Sequence, residues 1–389
     1  MKEFLKNNPV ILFFYRFIKV LYYRIIYSTP IYKLLFPQKI NDVINPDIKY
    51  TLLICHNGGG GTITYLNNTY SNQKNTLILR NTVSADIDYL YSIENNETHK
   101  RFYFKPNQIG ILNNYIIKVK IIAVESYMSL PYLFNWLISL NVYISYDLHD
   151  FHCIWIQAHL CNSKGFLTDK QIKESKLKYL LKTIYYNDWH ELWNSFFRYV
   201  NDIYAFSESS KDLFSLYFPA FSSLVKVTPH SLEYIKYKEI TVLPVEFKVG
   251  IFGAINNVDK GCLVVRDFLK YCSGKDFEIY INGSLRKDCC IQSNNINYMG
   301  PYQADSIKNI IVQQKISVVL FPSIWPETFS YLVSELIATG VPVVCFNFGA
   351  QAEKISHYSK GEVIYKICNE EILLALKKAF NKGQKYESE

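Results

Sequence analysis

The chain has 389 residues, long enough for two domains with separate cores, and its 49% hydrophobic content is normal for a globular enzyme. A formal net charge of +8 suits an anionic partner such as phosphate or a membrane surface, but the basic residues are scattered and no nucleic-acid-binding motif is present, so no nucleic-acid partner is expected. The nine cysteines exclude the common metal patterns: Cys153 and Cys161 are too far apart for a zinc knuckle and Cys289-Cys290 fits none, which leaves buried free thiols in a reducing cytosol.

The amino-terminal residues 1–48 form a segment of their own. Residues 9–27 are strongly apolar, but Arg16, Lys19 and Arg24 interrupt them, so the stretch is neither a signal peptide nor the run of about 20 apolar residues that a membrane span needs. At about 100° per residue these three charges fall within roughly 140° of one helix face, with Phe14, Phe17, Ile18, Leu21 and Ile25 on the rest. That pattern suits a helix lying in an anionic membrane interface, or one packed on the protein's own body.

From residue 48 the chain alternates strands and helices. Strands are predicted at 50–55, 76–79, 101–104, 121–124, 142–146 and 203–206, with a Lys-rich helical segment at 170–182. Val225–Pro229 and Pro244 mark a change of domain. Beyond it come strands at 248–252, 277–281, 317–321, 342–346 and 362–365, with helices at 260–271, 304–314, 329–339 and from 370. This alternation predicts two parallel sheets wound on both faces, one in a domain at residues 49–243 and one in a domain at 244–375, followed by a polar tail at 376–389. Ligands of such sheets bind at the carboxyl ends of the strands.

Four segments follow strands and carry candidate chemistry. His56-Asn-Gly-Gly-Gly-Gly-Thr62 includes Gly59, Gly60, Gly61 and Thr62; its backbone can approach a phosphate or sugar closely, or form a flexible turn, and no Lys-Ser/Thr follows to make a nucleoside triphosphate loop. Tyr146-Asp-Leu-His-Asp150 places His149 just after a strand, with Asp150 available to orient its imidazole or to cap the next turn. Val249–Gly261 contains Gly253 and ends in Lys260-Gly261, where the dipole at a helix start disfavours a lysine unless an anion binds there. In Phe321-Pro-Ser-Ile-Trp-Pro-Glu-Thr-Phe-Ser-Tyr-Leu-Val-Ser-Glu335, Phe329, Leu332, Val333, Leu336 and Ile337 mark one buried helix face, with Tyr331, Ser334 and Glu335 on the other. The free N–H groups around Thr328, Phe329, Ser330 and Tyr331 can receive a diphosphate, Glu327 lies in the loop before them, and the bland alternative is a capping glutamate plus a solvated one.

The last segment, followed by Ala338-Thr-Gly-Val-Pro-Val-Val344 and Gly349-Ala350, closely resembles the donor-site motif of glycosyltransferase family 4 in the branch found among bacterial surface-polysaccharide enzymes; Glu327, Glu335, Gly340 and Pro342 match, and Ser330 stands where many members have Gly. Val249–Gly261 resembles the family's strand–loop–Lys-Gly segment, with Ala254 in place of a frequent Arg. Ser207–Lys211 and Pro229-His230 also fit, whereas Trp155 and Gln157 replace a frequent Cys-Pro-Arg run. The resemblance spans roughly residues 50–370 and implies two Rossmann-like domains facing a central cleft, the GT-B fold. It implies transfer of a sugar from a nucleotide-diphosphate sugar to a saccharide acceptor, with retention of configuration and no cofactor or metal.

By this resemblance Lys260 neutralises the leaving diphosphate, Glu327 and His149 contact the donor sugar, Glu335 binds ribose hydroxyls, and Gly59–Thr62 with Asp150 serve the cleft and acceptor side. The acceptor it suggests is a saccharide carried on a lipid, in O-antigen or capsule synthesis at the cytoplasmic face of the inner membrane. Other readings are an inactive nucleotide-sugar-binding scaffold, or an epimerase or phosphorylase sharing the cleft.

Overall fold

The computed structural model describes residues 39–56, 60–81, 91–124, 130–162, 165–178 and 183–385. The basic amphipathic stretch at 9–27 and Gly59 lie outside these residues. Two compact units are formed by Met1–Asp147, Leu177–Ile184 and Glu191–Ile203, and by Leu148–Lys176, Tyr185–His190 and Tyr204–Glu389.

The first sheet contains β1 (Tyr50–Ile54), β2 (Thr76–Asn81), β3 (Tyr91–Asn95), β4 (Arg101–Phe104), β5 (Ile116–Ile121), β6 (Tyr143–Asp147), β7 (Asp202–Ala205) and β8 (Val225–Val227), in the order β8-β7-β6-β5-β1-β2-β3-β4. Strands β2, β1, β5 and β6 pair in parallel and are rich in fully buried aliphatic residues, among them Leu52, Leu53, Leu77, Val119 and Ile121. The helix α1 (Gly61–Tyr70) follows β1, and α2 (Leu130–Ser139) stacks Phe134 face to face on Phe196 at 3.8 Å.

Three sequence expectations are corrected here. The edge is antiparallel, because β3 and β4 return as hairpin partners of β2. The strand expected at 121–124 ends at Ile121, the last residue of a six-residue strand between β1 and β6. The Lys-rich segment makes only the short helix α3 (Asp169–Lys173), capped by Thr168, before Lys176–Lys178 pairs with Thr183–Tyr185.

The second sheet contains β9 (Lys248–Ile255), β10 (Glu278–Leu285), β11 (Ile296–Gly300), β12 (Val318–Phe321), β13 (Val343–Phe346) and β14 (Gly361–Ile364). All pairings are parallel and the order is β11-β10-β9-β12-β13-β14, so the strand order reverses between β9 and β12, as in a dinucleotide-binding fold. The helices of this unit include α4 (Glu208–Tyr217), α5 (Cys262–Cys272), α6 (Ile307–Gln313), α7 (Tyr331–Ala338), α8 (Gly349–Ser356) and α9 (Asn369–Lys385). One apolar cluster covers one face through Val265, Phe268, Leu269, Ile372 and Leu376, and a second covers the other through Ile307, Ile311, Val333, Leu336 and Ile355.

The expected tail from residue 376 is instead the second half of α9, since Leu376 and Ala379 are wholly buried. Nor do the units follow a single boundary at 243. Residues 148–176 and 204–243 fall in the second unit, where the His149 carbonyl accepts from Thr328 and the Tyr234 hydroxyl donates to Glu335. None of the nine cysteines is in a disulfide, and among the described residues no helix is long and apolar enough to cross a membrane.

Candidate functional site

The reversal of strand order places two loops side by side, because Ile251 of β9 lies opposite Leu320 of β12 and both strands point the same way. Residues 256–261 run from β9 to α5, and residues 322–330 from β12 to α7. Gly261 lets them touch: at φ 81° it caps α5, and a Cβ there would sit 1.9 Å from the Pro322 carbonyl oxygen. The second loop is clamped from α8. The Glu327 N–H donates to Gln351 Oε1 at 3.1 Å, Gln351 Nε2 donates to the Trp325 carbonyl at 2.7 Å, and the Ala350 N–H donates to the Glu327 carbonyl at 2.8 Å.

This framework brings Lys260 and Glu327 together, with Lys260 Nζ 2.6 Å from Glu327 Oε1. Burial alone would push the Glu327 carboxyl up, but the Lys260 ammonium, with help from the Ser330 and Ser323 hydroxyls, holds it below its ordinary range. Lys260 keeps 36% of its side chain exposed against 10% for Glu327, so its ammonium can still meet an incoming anion. It also lies 5.2 Å from the centre of the Trp325 ring. The His159 ring lies tilted against the same Trp325, 4.2 Å between centres, and pairs with Asp259 at 2.8 Å. Burial acts to raise Asp259, and the His159 bond and the Lys260 charge reverse the shift.

Helix α7 begins at Tyr331, two residues later than the sequence suggests, because Ser330 has φ 58° and cannot join the helix. Thr328, Phe329 and Ser330 are all buried in the turn that leads into it. The alternative of a solvated glutamate does not hold, since Ser334 and Glu335 are 6% and 7% exposed. Glu335 accepts a hydrogen bond from the Tyr234 hydroxyl at 2.7 Å, and its carbonyl accepts one from Tyr237 at 3.0 Å. Burial raises the Glu335 carboxyl, with the Tyr234 bond opposing it. Gly253 lies in β9 opposite Gly283.

His149 joins this unit through its backbone, its carbonyl accepting from Thr328 Oγ1 at 3.0 Å. Its ring is buried 4.5 Å from Phe206 and 5.3 Å from His230, which in turn lies 4.4 Å from Phe329. Asp150 accepts from the His152 N–H at 2.9 Å and so caps the turn, one of its two expected uses. Ser207 caps α4, and Ser210 Oγ donates to the Thr328 carbonyl at 3.4 Å. The glycine loop belongs to the other unit: Gly60, at φ 85°, caps α1, and Gly61 and Thr62 open that helix.

Sequence reasoning passed over Lys354, Tyr234 and the His159–Asp259 pair. Lys354 bonds to Ser334 Oγ at 2.6 Å and covers the Phe329 ring at 3.4 Å; burial lowers its ammonium to about 8 against the pull of Glu327 and Glu353. Only the Lys at the end of Gly349-Ala-Gln-Ala-Glu-Lys354 hinted at it, since a charge there departs from the apolar pattern of a covered helix. Among the described residues no cluster of three or more His, Cys, Asp or Glu is grouped to hold a metal ion.

Residues 290–388 match the family model of glycosyl transferases group 1. No curated protein matches the sequence. The fold is similar to that of Anabaena Alr3699/HepE solved with UDP, at TM-score 0.57 and 14% identity over 88% of this chain and 95% of that one. The same protein solved with UDP-glucose gives 0.57 and 14% over 87% and 94%. Sucrose-phosphate synthase from Thermosynechococcus elongatus gives 0.55 and 11% over 87% and 94%. At such identities the likeness concerns the fold, which is GT-B with two Rossmann-like sheets. A group 1 glycosyl transferase segment carried on that fold identifies the chain as a glycosyltransferase.

Proposed function

We propose that the chain is a retaining family 4 enzyme that moves a sugar from a nucleotide-diphosphate donor to a saccharide acceptor carried on a lipid, in the synthesis of a bacterial surface polysaccharide. The carrying observation is the Lys260–Glu327 contact of 2.6 Å at the reversal of strand order, beside the amino end of α7. There the diphosphate meets Lys260 and the helix dipole, which together offset its charge without a metal ion. Glu327 and His149 face the sugar, and Glu335, on the polar side of α7, takes the ribose hydroxyls. Gly253, Thr328, Phe329, Ser330 and Tyr331 line the donor.

In this reading the acceptor oxygen bonds to the anomeric carbon on the face from which the diphosphate departs. The carbon–oxygen bond to phosphate breaks, and the hydroxyl proton passes to the leaving phosphate oxygen. Glu327, already bonded to Lys260, binds hydroxyls and does not attack carbon. The chain's part is positioning and charge stabilisation. Gly59–Thr62 and Asp150 serve the acceptor side, and residues 1–48 hold the enzyme to the anionic cytoplasmic face of the membrane.

Calorimetry with UDP-, GDP- and dTDP-sugars tests the donor site. The UDP-sugar is the first choice, because the Anabaena structures hold UDP and UDP-glucose. One donor should bind with a micromolar Kd. Binding of none by the full chain overturns the assignment. Sedimentation with anionic liposomes tests the membrane role, and equal sedimentation after deletion of residues 1–30 overturns that part.

A further inference from the structure

Lys354 rises from α8, and its ammonium folds back onto the start of α7. Nζ lies 2.6 Å from Ser334 Oγ, 3.5 Å from the Ser330 carbonyl oxygen and 3.4 Å from the centre of the Phe329 ring. One side chain thus touches the residue before the turn, the turn itself and the first turn of the helix. Ser334 Oγ also donates to the Ser330 carbonyl, at 3.3 Å, so that oxygen is held from two sides.

Two unfavourable features meet here. Ser330 has φ 58°, a conformation that a side chain disfavours and glycine does not. A half-buried ammonium stands near the amino end of a helix, where the dipole repels a cation. Neither serves the helix, and each is explained if the turn must hold one shape for an anionic ligand.

We propose that Lys354 is a positioning residue of the donor site, holding the Phe329–Ser330 turn in the left-handed shape that leaves the amino end of α7 open to the donor diphosphate. The proposal rests on the donor-site reading above. Its class of ligand is a nucleoside diphosphate, and Lys354 acts on the phosphates and not on the nucleoside.

The test is calorimetric titration of the full chain with UDP, GDP and dTDP, and with uridine, guanosine and thymidine. Lys354→Met should weaken the preferred diphosphate by about ten-fold while changing the matching nucleoside less than about two-fold. Lys354→Arg, which keeps the charge and the reach, should recover most of the loss. In a Ser330→Gly background, where glycine adopts the turn unaided, Lys354→Met should cost less than about three-fold against that parent. An equal loss in both backgrounds, an equal loss for diphosphate and nucleoside, or no loss at all overturns the proposal. If Lys354→Met alone does not fold, the Arg variant and the double variant give the same comparison. Wild-type protein that binds none of the diphosphates overturns the donor-site reading itself, and the first titration shows this before any variant is made.

Discussion

Two lysine–carboxylate pairs, one in each unit, show how the same chemistry serves different ends. In the first unit Lys120 of β5 lies 3.0 Å from Asp147 at the end of β6, and the Tyr65 hydroxyl donates to the other carboxylate oxygen at 3.0 Å. The Asp147 side chain is wholly buried and that of Lys120 is 15% exposed. Burial drives the Asp147 carboxyl up, and the Lys120 charge only partly opposes this. In the second unit Lys260 and Glu327 are closer, at 2.6 Å, yet both sit on loops and the lysine is 36% exposed. A sealed pair on two strands can only be kept or lost, whereas a loop pair with an open ammonium can take a second anion. Burial of the cation, and not the distance between the charges, separates the two.

The largest effect should come from breaking the sealed pair. Asp147→Ala leaves a buried ammonium without its partner and should cost about 3–5 kcal/mol of stability in a denaturant titration. Nucleotide affinity per folded molecule should stay as it was. Lys260→Ala is the converse: turnover should fall by roughly two to three orders of magnitude, while the melting temperature should fall less than in Asp147→Ala, because the lysine removed is 36% exposed and water can reach the site it leaves. If Asp147→Ala removed nucleotide binding and Lys260→Ala unfolded the chain, the comparison would be reversed.

Glu335→Ala should weaken nucleotide binding by about ten-fold in calorimetry, the loss of a buried carboxylate acceptor. Full affinity would move the ribose elsewhere. The smallest effect concerns pH. The folded-state pKa of Glu327 is depressed, so its contribution to stability is present at neutral pH and lost as the pH falls through that pKa, below the ordinary glutamate value of 4.5. The gap in melting temperature between wild type and Glu327→Gln should therefore persist from neutral pH down to the ordinary glutamate value of 4.5 and narrow only below it, and a constant gap would show that the charge plays no part.

Much of the second unit was legible because its strands are short, buried aliphatic runs separated by helices with one apolar stripe. Val318–Phe321 and Val343–Phe346 fall within one residue of the expected strands. The Lys-Gly turn and the two glutamates were legible as well, because loop chemistry at strand ends is local. The start of α7 was not, since the left-handed Ser330 is held partly by Lys354, 24 residues away in the chain. The antiparallel edge was missed for a similar reason: β3 becomes a strand by pairing with β2.

By itself the sequence determined the alternation of elements, the placement of Lys260 and Glu327 in loops that follow strands, and that of Glu335 on a helix, all set by periodicity and backbone chemistry within a few residues. Only the tertiary structure decided that Lys260 and Glu327 bond to each other, that Glu335 is buried against Tyr234, and that Asp150 caps a turn. It also brought Lys354 to the turn before α7. The physical reason is that burial and charge pairing depend on which surfaces meet, and a lysine's pattern in sequence is the same whether its ammonium ends in water, on a carboxylate or across an aromatic ring.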